Sequence, residues 1–315
     1  MPIFSTALLL LCALISVVLC FNARSICIKF GMMDIPDARK LHAVDTPLMG
    51  GILVLSVLVP VITAYTFLVS SERWFPSILI WILCVAGMAM VGIADDRHSL
   101  SPRSRLFLSF IVFGFASFFD PTFNVRLLDF ELIRFTIGLG SNWTAVIFTI
   151  ICCVGLVNAV NMADGKNGLA IGLSIGWVVF LAGTAPEPLW WPIAFLLSVL
   201  FILLIFNLNG RLFLGDGGAY AIASAVGLLA IMLYNSPGTH SLRAISADEL
   251  ILLFFVPVFD SFRLTYVRMK RGQSPMTADR DHLHHHLQNR FGWPNGLIIY
   301  LCIAIGPAAF VRVMH

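Results

Sequence analysis

The stretch PSILIWILCVAGMAMVGIA at residues 76–94 is followed at once by Asp95, Asp96 and Arg97. About 20 apolar residues are needed to carry an α-helix across the hydrocarbon core of a bilayer. An apolar run of this length therefore predicts a membrane-spanning helix, and the abrupt change to three charged residues places its end at a membrane surface.

The rest of the chain repeats this alternation of apolar runs and short polar loops. The 315 residues are 59% hydrophobic and only 12% charged, which excludes an ordinary soluble domain of this length. We therefore predict an all-α polytopic membrane protein, one domain over residues 1–315, with about ten transmembrane helices. The expected stretches, of which the fourth is the weakest, are 3–21, 49–70, 76–94, 105–119, 143–160, 168–184, 189–206, 218–234, 249–267 and 296–312.

Basic residues are distributed unevenly between the two faces that these helices define. With the N-terminus outside, five loops begin near residues 22, 95, 161, 207 and 268, and they hold 15 of the 20 Lys and Arg, leaving 5 for the other face. The positive-inside rule then places the five loops in the cytoplasm. The net charge of +3 is accordingly a topology signal and does not indicate nucleic-acid binding.

The second and fourth of these loops carry carboxylates beside glycines or bases. Asp95 and Asp96 are explained either by a solvated helix end or by Mg²⁺, which one or two carboxylates hold at a phosphate site. Asp216, in FLGDGG, fits a tight turn whose glycines adopt unusual backbone angles. It equally fits a Mg²⁺ ligand beside a helix N-terminus, whose free N–H groups suit diphosphate.

The third loop reads NAVNMADGKNG at residues 158–168. Asn158, Asn161 and Asp164 follow one another at three-residue spacing, which places them on one face of a helix end. A glycine-rich helix C-terminus explains part of the pattern. Two amides and a carboxylate beside lipid also predict a polar cavity, because lipid offers them no hydrogen bonds.

The fifth loop contains DRDHLHHHL at residues 279–287, in a chain with eight histidines. Clustered imidazoles bind zinc or nickel, and imidazole N–H groups beside an arginine bind phosphate. The segment alone does not decide between the two kinds of site. Its candidate ligand-binding residues are Arg280, His282, His284, His285 and His286.

Two further pairs of polar residues have simpler explanations. Lys40 and His42, in DARKLHAVDTP at residues 37–47, fit the basic flank of a membrane helix. Asp260 and Arg263, near the end of the ninth stretch, fit a mutual pair that lowers the cost of placing each charge near lipid. We rank this second pair below the loops as a functional candidate.

Taken in order, the loops resemble those of the polyprenyl-phosphate N-acetylhexosaminyl-1-phosphate transferases, which are of the glycosyltransferase 4 type. The resemblance runs from Pro36 to Gly292, most of the chain. It is carried by five segments in the family's order, RKLHAVDTPLMGG (39–51), DDR (95–97), NAVNMADGKNGLA (158–170), FLGDGG (213–218) and DRDHLHH (279–285).

The resemblance implies transfer of a sugar phosphate to a lipid. An N-acetylhexosamine 1-phosphate, GlcNAc 1-phosphate above all, would pass from a UDP-sugar to undecaprenyl phosphate, releasing UMP. The reaction would take place on the cytoplasmic face of the bacterial inner (plasma) membrane and begin O-antigen or related lipopolysaccharide synthesis. RKLHAVDTPLMGG and DRDHLHH favour this branch, whereas the triple histidine 284–286 is also typical of the phospho-MurNAc-pentapeptide transferase of cell-wall synthesis.

The resemblance also assigns roles. Mg²⁺ is the implied cofactor, with Mn²⁺ as a candidate substitute, and undecaprenyl phosphate, a UDP-N-acetylhexosamine and membrane lipid are the implied partners, with no nucleic acid and with a homodimer as a candidate assembly. The metal ligands would be Asp216 and Asp95, and the catalytic group would be Asp95, Asp96, Asp164 and Asp216. Substrate contacts would come from Lys40, His42, Arg105, Asn158, Asn161, Asn167, Arg280, His282, His284, His285 and His286.

A rival class is an ion-coupled transporter, which would use carboxylates and histidines near the midpoints of its helices. The sequence predicts the acidic residues at helix ends, and it shows no internal repeat. One departure from the transferase pattern stands out: the family usually reads DGxDG where this chain has DGKNG, so that Lys166 and Asn167 lie where a second carboxylate is expected. Asparagine keeps hydrogen bonds there but contributes no charge.

Overall fold

The computed structural model describes residues 2–36, 44–237, 244–274 and 281–314. This part of the chain is mostly helical and has little sheet, which confirms the all-α prediction. Its helices are α1 (Pro2–Phe21), α2 (Ala23–Phe30), α3 (Gly50–Leu53), α4 (Val59–Leu68), α5 (Phe75–His98), α6 (Pro102–Phe119), α7 (Asn142–Ala163), α8 (Leu169–Ala182), α9 (Glu187–Leu208), α10 (Gly215–Tyr234), α11 (Ala247–Lys270), α12 (Leu283–Phe291) and α13 (Asn295–Met314). A π-helical turn, Val54–Leu58, joins α3 to α4, and Pro121–Phe123 forms a short 3₁₀ turn.

All ten predicted stretches are helical. Eight helices of the described residues are long and apolar enough to cross a membrane, and the continuous helix Gly50–Leu68 is one of them. The other two stretches are α6, which was predicted to be the weakest, and α8, which has only 14 residues. The protein is therefore a multi-pass membrane protein, as the hydropathy pattern indicates.

Helix α6 nevertheless runs the full length of its neighbour α5. Arg105, in the first turn of α6, bonds Asp95 near the end of α5 at 3.0 Å. Asp120, directly after α6, accepts a hydrogen bond at 2.6 Å from Ser77 near the start of α5. Since α6 returns antiparallel to α5, the DDR segment and the start of α7 lie at opposite ends of the bundle.

Helix α8 likewise connects the two ends. Its N-cap, Gly168, donates its N–H to Asn207 at the end of α9 at 2.6 Å. At its other end, the Phe180 carbonyl accepts from Arg312 near the end of α13 at 2.7 Å. The ends of α5, α7 and α9 and the starts of α6, α8 and α10 therefore share one end of the bundle, which we call the carboxylate end because it carries Asp95, Asp96, Asp164 and Asp216.

The opposite end is closed by a two-stranded antiparallel hairpin, β3 (Leu127–Phe130) and β4 (Phe135–Gly138), between α6 and α7. Asp248, in the first turn of α11, accepts the N–H groups of Glu131 and Leu132 at 3.1 and 3.2 Å. Tyr234 accepts the N–H of Asp129 at 2.8 Å through its hydroxyl. Buried polar side chains thus fix the hairpin to the last turn of α10 and the first turn of α11.

Helix α10 is the central helix, and every residue from Gly217 to Tyr234 is buried. Its first turn lies backbone to backbone against α3 and α5, because glycines occupy the contact. A Cβ added at Gly92 would lie 2.6 Å from the Cα of Gly217, and one added at Gly50 would lie 2.8 Å from the Cα of Gly218. Distances under 3.0 Å leave no room for a side chain, so these glycines set how closely α3, α5 and α10 approach.

Candidate functional site

Two of the five predicted loops meet as short extended segments at the carboxylate end. In the first, β1 (Met33–Asp34) pairs antiparallel with β2 (Thr46–Pro47). The residues that follow β2 bond the fourth loop. Met49 donates its N–H to Phe213 O at 3.0 Å, and Gly50 donates its N–H to Leu214 O at 3.1 Å. These bonds fix residues 46–50 beside the first turn of α10.

Asp96 caps the N-terminus of α10. Its Oδ1 accepts the N–H of Asp216 at 2.8 Å, and its Oδ2 accepts the N–H of Gly217 at 2.9 Å. The first N–H groups of a helix have no partner within the helix and attract negative charge. The structure therefore corrects one interpretation of the sequence: Asp96 already occupies two of the N–H groups that were considered for diphosphate.

Two side chains hold Asp95 at the same oxygen. Its Oδ2 accepts from the Tyr220 hydroxyl at 2.9 Å and from Arg105 Nη1 at 3.0 Å. Arg105 also reaches the Tyr220 oxygen at 3.4 Å. The two adjacent carboxylates thus differ in their bonds: both oxygens of Asp96 accept backbone hydrogen bonds, whereas Asp95 is bound at Oδ2 by two side chains.

Asp216 lies between this pair and the third loop. Asn161 Nδ2 donates to its Oδ1, and its carboxyl group is within hydrogen-bonding reach of Asp95. Asp95 is buried and Asp216 is half-buried, and two carboxylates this close repel each other unless a proton or a cation lies between them. Asp216 and Asp95, the two metal ligands predicted from the sequence, are therefore neighbours.

The donor set at this point fits Mg²⁺. Magnesium is bound by hard oxygen ligands and uses one or two carboxylates, its other positions being filled by water and phosphate oxygens. Asp95 and Asp216 supply that pair. Within residues 2–36, 44–237, 244–274 and 281–314 there is no group of three His, Cys, Asp or Glu arranged to hold a metal ion, so the described residues do not supply a closed, all-protein metal cage.

Asp164 ends α7 at the same place. Burial raises the pKa of this carboxyl well above its usual range, and the nearby charges of Asp216 and Asp96 raise it further. Of the two amides that precede it, Asn161 bonds Asp216, whereas Asn158 donates to Val154 O of its own helix at 2.8 Å. Of the three residues expected on one helix face, Asn161 and Asp164 therefore lie among the carboxylates. The side-chain N–H₂ of Asn158 bonds within α7.

The third loop is held by its main chain. Asn207, which the sequence reasoning missed, accepts from Gly168 N–H and donates to Leu212 O at 3.0 Å. Trp293 Nε1 donates to the carbonyl of Asn167 at 3.1 Å. Asn167 is thus fixed by its backbone, with its side chain half-buried at the carboxylate end.

The histidines of the fifth loop differ in their burial and in the residues that they contact. His284 is 2% exposed, its Nε2 has no hydrogen-bond partner among the described residues, and a Cβ at Gly165 would lie 3.0 Å from that nitrogen. Burial, with smaller contributions from His285 and His282, lowers the pKa of His284 to about 3, so this imidazole is neutral. His286 instead faces Asp281 at 2.8 Å and is 59% exposed. A buried, unpartnered nitrogen against the third loop is a ready contact for a ligand polar group.

Several functional candidates escaped the sequence reasoning or were ranked low by it. Tyr220 has an apolar helical context and gave no signal. Asp34 acts electrostatically on Asp96, which its position in a short loop does not reveal. Asp260 bonds His282, although its sequence neighbourhood indicates only a pair with Arg263. Three sequence candidates, Lys40, His42 and Arg280, lie outside the described residues.

Comparisons with known proteins agree with this geometry. Residues 78–234 match the model of glycosyl transferase family 4. The chain is 28% identical over 281 residues to an undecaprenyl-phosphate alpha-N-acetylglucosaminyl 1-phosphate transferase of Yersinia pestis, covering 86% of this chain and 73% of that one. It is 27% identical to the enzyme of the same name from Escherichia coli K12, with 84% and 71% covered. It is also 27% identical to a probable undecaprenyl-phosphate N-acetylglucosaminyl 1-phosphate transferase of Bacillus subtilis, with 90% and 76% covered.

Proposed function

Because this chain belongs to glycosyl transferase family 4, we propose that it transfers an N-acetylhexosamine 1-phosphate, with GlcNAc 1-phosphate preferred, from a UDP-sugar to undecaprenyl phosphate. The observation that carries the proposal is the meeting of Asp95, Asp96 and Asp216 at one end of a membrane bundle. The excess of Lys and Arg in the loops supports a cytoplasmic position for that end in a bacterial cell, where soluble UDP-sugars would reach it. The product would begin a lipid-linked glycan such as O-antigen.

In the proposed reaction, the lipid phosphate replaces UMP on the β-phosphorus of the UDP-sugar, so one phosphoanhydride bond is broken and another is formed. An oxygen of the lipid phosphate attacks the β-phosphorus of the UDP-sugar and forms the new P–O bond. The bond from the β-phosphorus to the bridging oxygen breaks, and UMP leaves with its electron pair. Such transfers depend mainly on positioning and on neutralising the charge of the approaching anions.

Each carboxylate of the cluster receives a distinct role. Asp216 and Asp95 would hold Mg²⁺ or its substitute Mn²⁺, which neutralises charge on the diphosphate and on the departing UMP. Asp96 positions α10, since both of its oxygens accept backbone N–H groups. Asp95 is also the better candidate to accept a proton from the lipid phosphate, since Arg105 and Tyr220 both bond its Oδ2 and neither bonds its Oδ1.

The remaining polar groups would bind the substrates. Asn161 bonds and so orients Asp216, and Asp164 would help to shape the nucleotide and metal pocket. Substrate contacts are assigned to Lys40, His42, Asn158, Asn167, Arg280, His282, His284, His285 and His286. The isoprenoid tail of the acceptor stays in the bilayer, so its phosphate meets the soluble donor at the membrane boundary.

The position of the acidic residues argues against an ion-coupled transporter. Asp95 and Asp96 are in the last turn of α5, Asp164 caps α7, and Asp216 is in the first turn of α10. A transport pathway would place them near helix midpoints. The transferase proposal explains why all four gather at a membrane surface.

The decisive assay uses the purified full-length chain with undecaprenyl phosphate, Mg²⁺ and a panel of radiolabelled UDP-sugars. The expected result is a labelled lipid from UDP-GlcNAc, with less from UDP-GalNAc and none from UDP-MurNAc-pentapeptide. Absence of labelled lipid with every UDP-N-acetylhexosamine, while a known transferase works in the same assay, contradicts the proposal. Labelled lipid from the pentapeptide donor alone reassigns the chain to the cell-wall branch.

Asn167→Asp tests the departure in the third loop. The loop is fixed through the Asn167 carbonyl, so this change alters a side chain without moving its backbone. A charged hydrogen bond is worth about 1 kcal/mol more than a neutral one, and KM for the UDP-sugar should fall by about fivefold with kcat unchanged. The control is Asn209→Asp, at the end of α9, where the exposed side-chain amide donates to Ile205 O of its own helix. Equal effects of the two changes would show that Asn167 does not contact the nucleotide sugar.

A further inference from the structure

Asp260 lies within α11 and connects it to the histidine segment of the fifth loop. Its Oδ2 is 2.9 Å from His282 Nδ1, and both of its oxygens lie 3.3 Å from the N–H of Leu283. The Asp260 side chain is only 9% exposed. A single buried carboxylate therefore contacts both the imidazole of His282 and the first turn of α12.

Arg263, one turn further along α11, fixes this carboxylate. It donates to Asp260 Oδ1 from Nε at 3.2 Å and from Nη2 at 2.9 Å. The same Nη2 donates to the carbonyl of Asp281. Because both guanidinium donors bond Oδ1, Oδ2 is the oxygen that faces His282.

The contact decides which nitrogen of His282 faces the site. Asp260 has oxygen acceptors only, so Nδ1 carries the proton that it shares with Asp260, and Nε2 is the nitrogen left for a ligand. The His282 ring stacks on that of His284 with centroids 5.3 Å apart and an angle of 12°, and His284 contacts His285 at 4.3 Å. Orienting the first ring therefore orients the rings stacked on it.

We propose that Asp260, held by Arg263, is a positioning residue that presents Nε2 of His282 to the diphosphate of the nucleotide-sugar donor. A carboxylate behind an imidazole fixes its tautomer and stabilises the imidazolium that forms when the other nitrogen meets an anion. This inference rests on the proposed function, because it takes a UDP-sugar as the ligand. It gives α11 a part in the chemistry although none of the five predicted loops includes Asp260.

The test is a double-mutant cycle between Asp260→Asn and His282→Asn. His282→Asn keeps a side-chain N–H near the position of Nδ1 but removes Nε2. Asp260→Asn should lower kcat/KM for the UDP-sugar on the order of 10–100-fold, the cost typical of removing an outer partner that orients a functional histidine. In the His282→Asn background the same change should cost less than about twofold, because non-additivity is the mark of residues that act through one another.

The matched control is Asp248→Asn, a buried aspartate of the same helix at the opposite end, where it holds the hairpin. It should leave kcat/KM unchanged. If Asp260 only stabilised the α11–α12 packing, Asp260→Asn would cost as much in the His282→Asn background as in the wild type. That additive outcome overturns the proposal.

A second readout does not depend on activity. In protein labelled with ¹⁵N-histidine, the His282 signals, assigned from the His282→Asn spectrum, should show a protonated Nδ1 in the wild type and a changed tautomer in Asp260→Asn. An unchanged tautomer refutes the positioning role. If the wild type made no lipid product, the proposed function would fail, while this measurement would still decide whether Asp260 sets His282.

Discussion

Asp216→Asn is expected to lower kcat about a thousandfold, because a metal ligand at a diphosphate contributes several kcal/mol of transition-state stabilisation and each 1.4 kcal/mol is tenfold in rate. The substitution keeps the size of the side chain and removes its charge. Asn161 can still bond the carbonyl oxygen of the new amide, as it bonds Asp216 Oδ1 now, so the fold should persist. The loss should therefore appear in turnover with little change in thermal unfolding.

The control for this prediction is Asp120→Asn. Asp120 is also a buried carboxylate, 8% exposed, but it lies at the opposite end, where it accepts from Ser77 and from Thr122 N–H. Its replacement should cost stability and leave kcat unchanged. A wild-type rate for Asp216→Asn at ordinary Mg²⁺ concentrations would show that another group is the principal ligand. A rate restored by raised Mg²⁺ would support weakened metal binding.

The helices of this protein follow from composition because the bilayer admits few alternatives. A spanning segment must satisfy all its backbone hydrogen bonds internally, so an apolar run such as residues 76–94 is a helix and its polar end is a loop. Two loops lie on the same membrane face when an even number of spanning helices separates them. Even α6, whose apolar run is short and follows Arg103 and Arg105, must cross, since otherwise DDR and NAVNMADG would lie on opposite sides. The structure confirms that return.

The contacts within the site depend on distances that no local pattern encodes. Asp95 and Asp96 are adjacent, and the sequence alone does not distinguish their roles. They differ because α10 presents its first N–H groups to one and Tyr220 to the other. Asp260 precedes His282 by 22 positions, and its role appears only when α11 and α12 are packed. Residue types predicted the chemistry, whereas tertiary packing decided which oxygen each partner occupies.

Gly92→Ala should be nearly as damaging as the loss of a catalytic carboxylate, although it removes no polar group. The added Cβ would lie 2.6 Å from the Cα of Gly217 and closer still to the main chain of Asp216. No rotamer change relieves a contact with backbone, so α5 must move away from α10. Overpacking of this kind typically costs about 1–3 kcal/mol or more.

The displacement caused by Gly92→Ala would also act on chemistry. Asp96 follows Gly92 by one helical turn, and its bonds to the N–H groups of Asp216 and Gly217 are 2.8 and 2.9 Å long. A shift of about 1 Å stretches both bonds and misplaces Asp216, and misplacement of that size costs on the order of a hundredfold in rate. We expect reduced yield of folded protein and, in the folded fraction, a fall in kcat of that order.

Gly155→Ala separates this steric effect from a general effect of alanine in a membrane helix. Gly155 lies within α7, and a Cβ there would meet nothing within 4 Å. Since alanine is favoured over glycine in a helix by about 0.5–1 kcal/mol, this variant should be as stable as the wild type or more so, with unchanged kcat. Thermal unfolding in detergent and the labelled-lipid assay measure both quantities. If Gly92→Ala matched Gly155→Ala in both, α5 and α10 would not need their close approach, and capping of α10 by Asp96 would not be what positions Asp216.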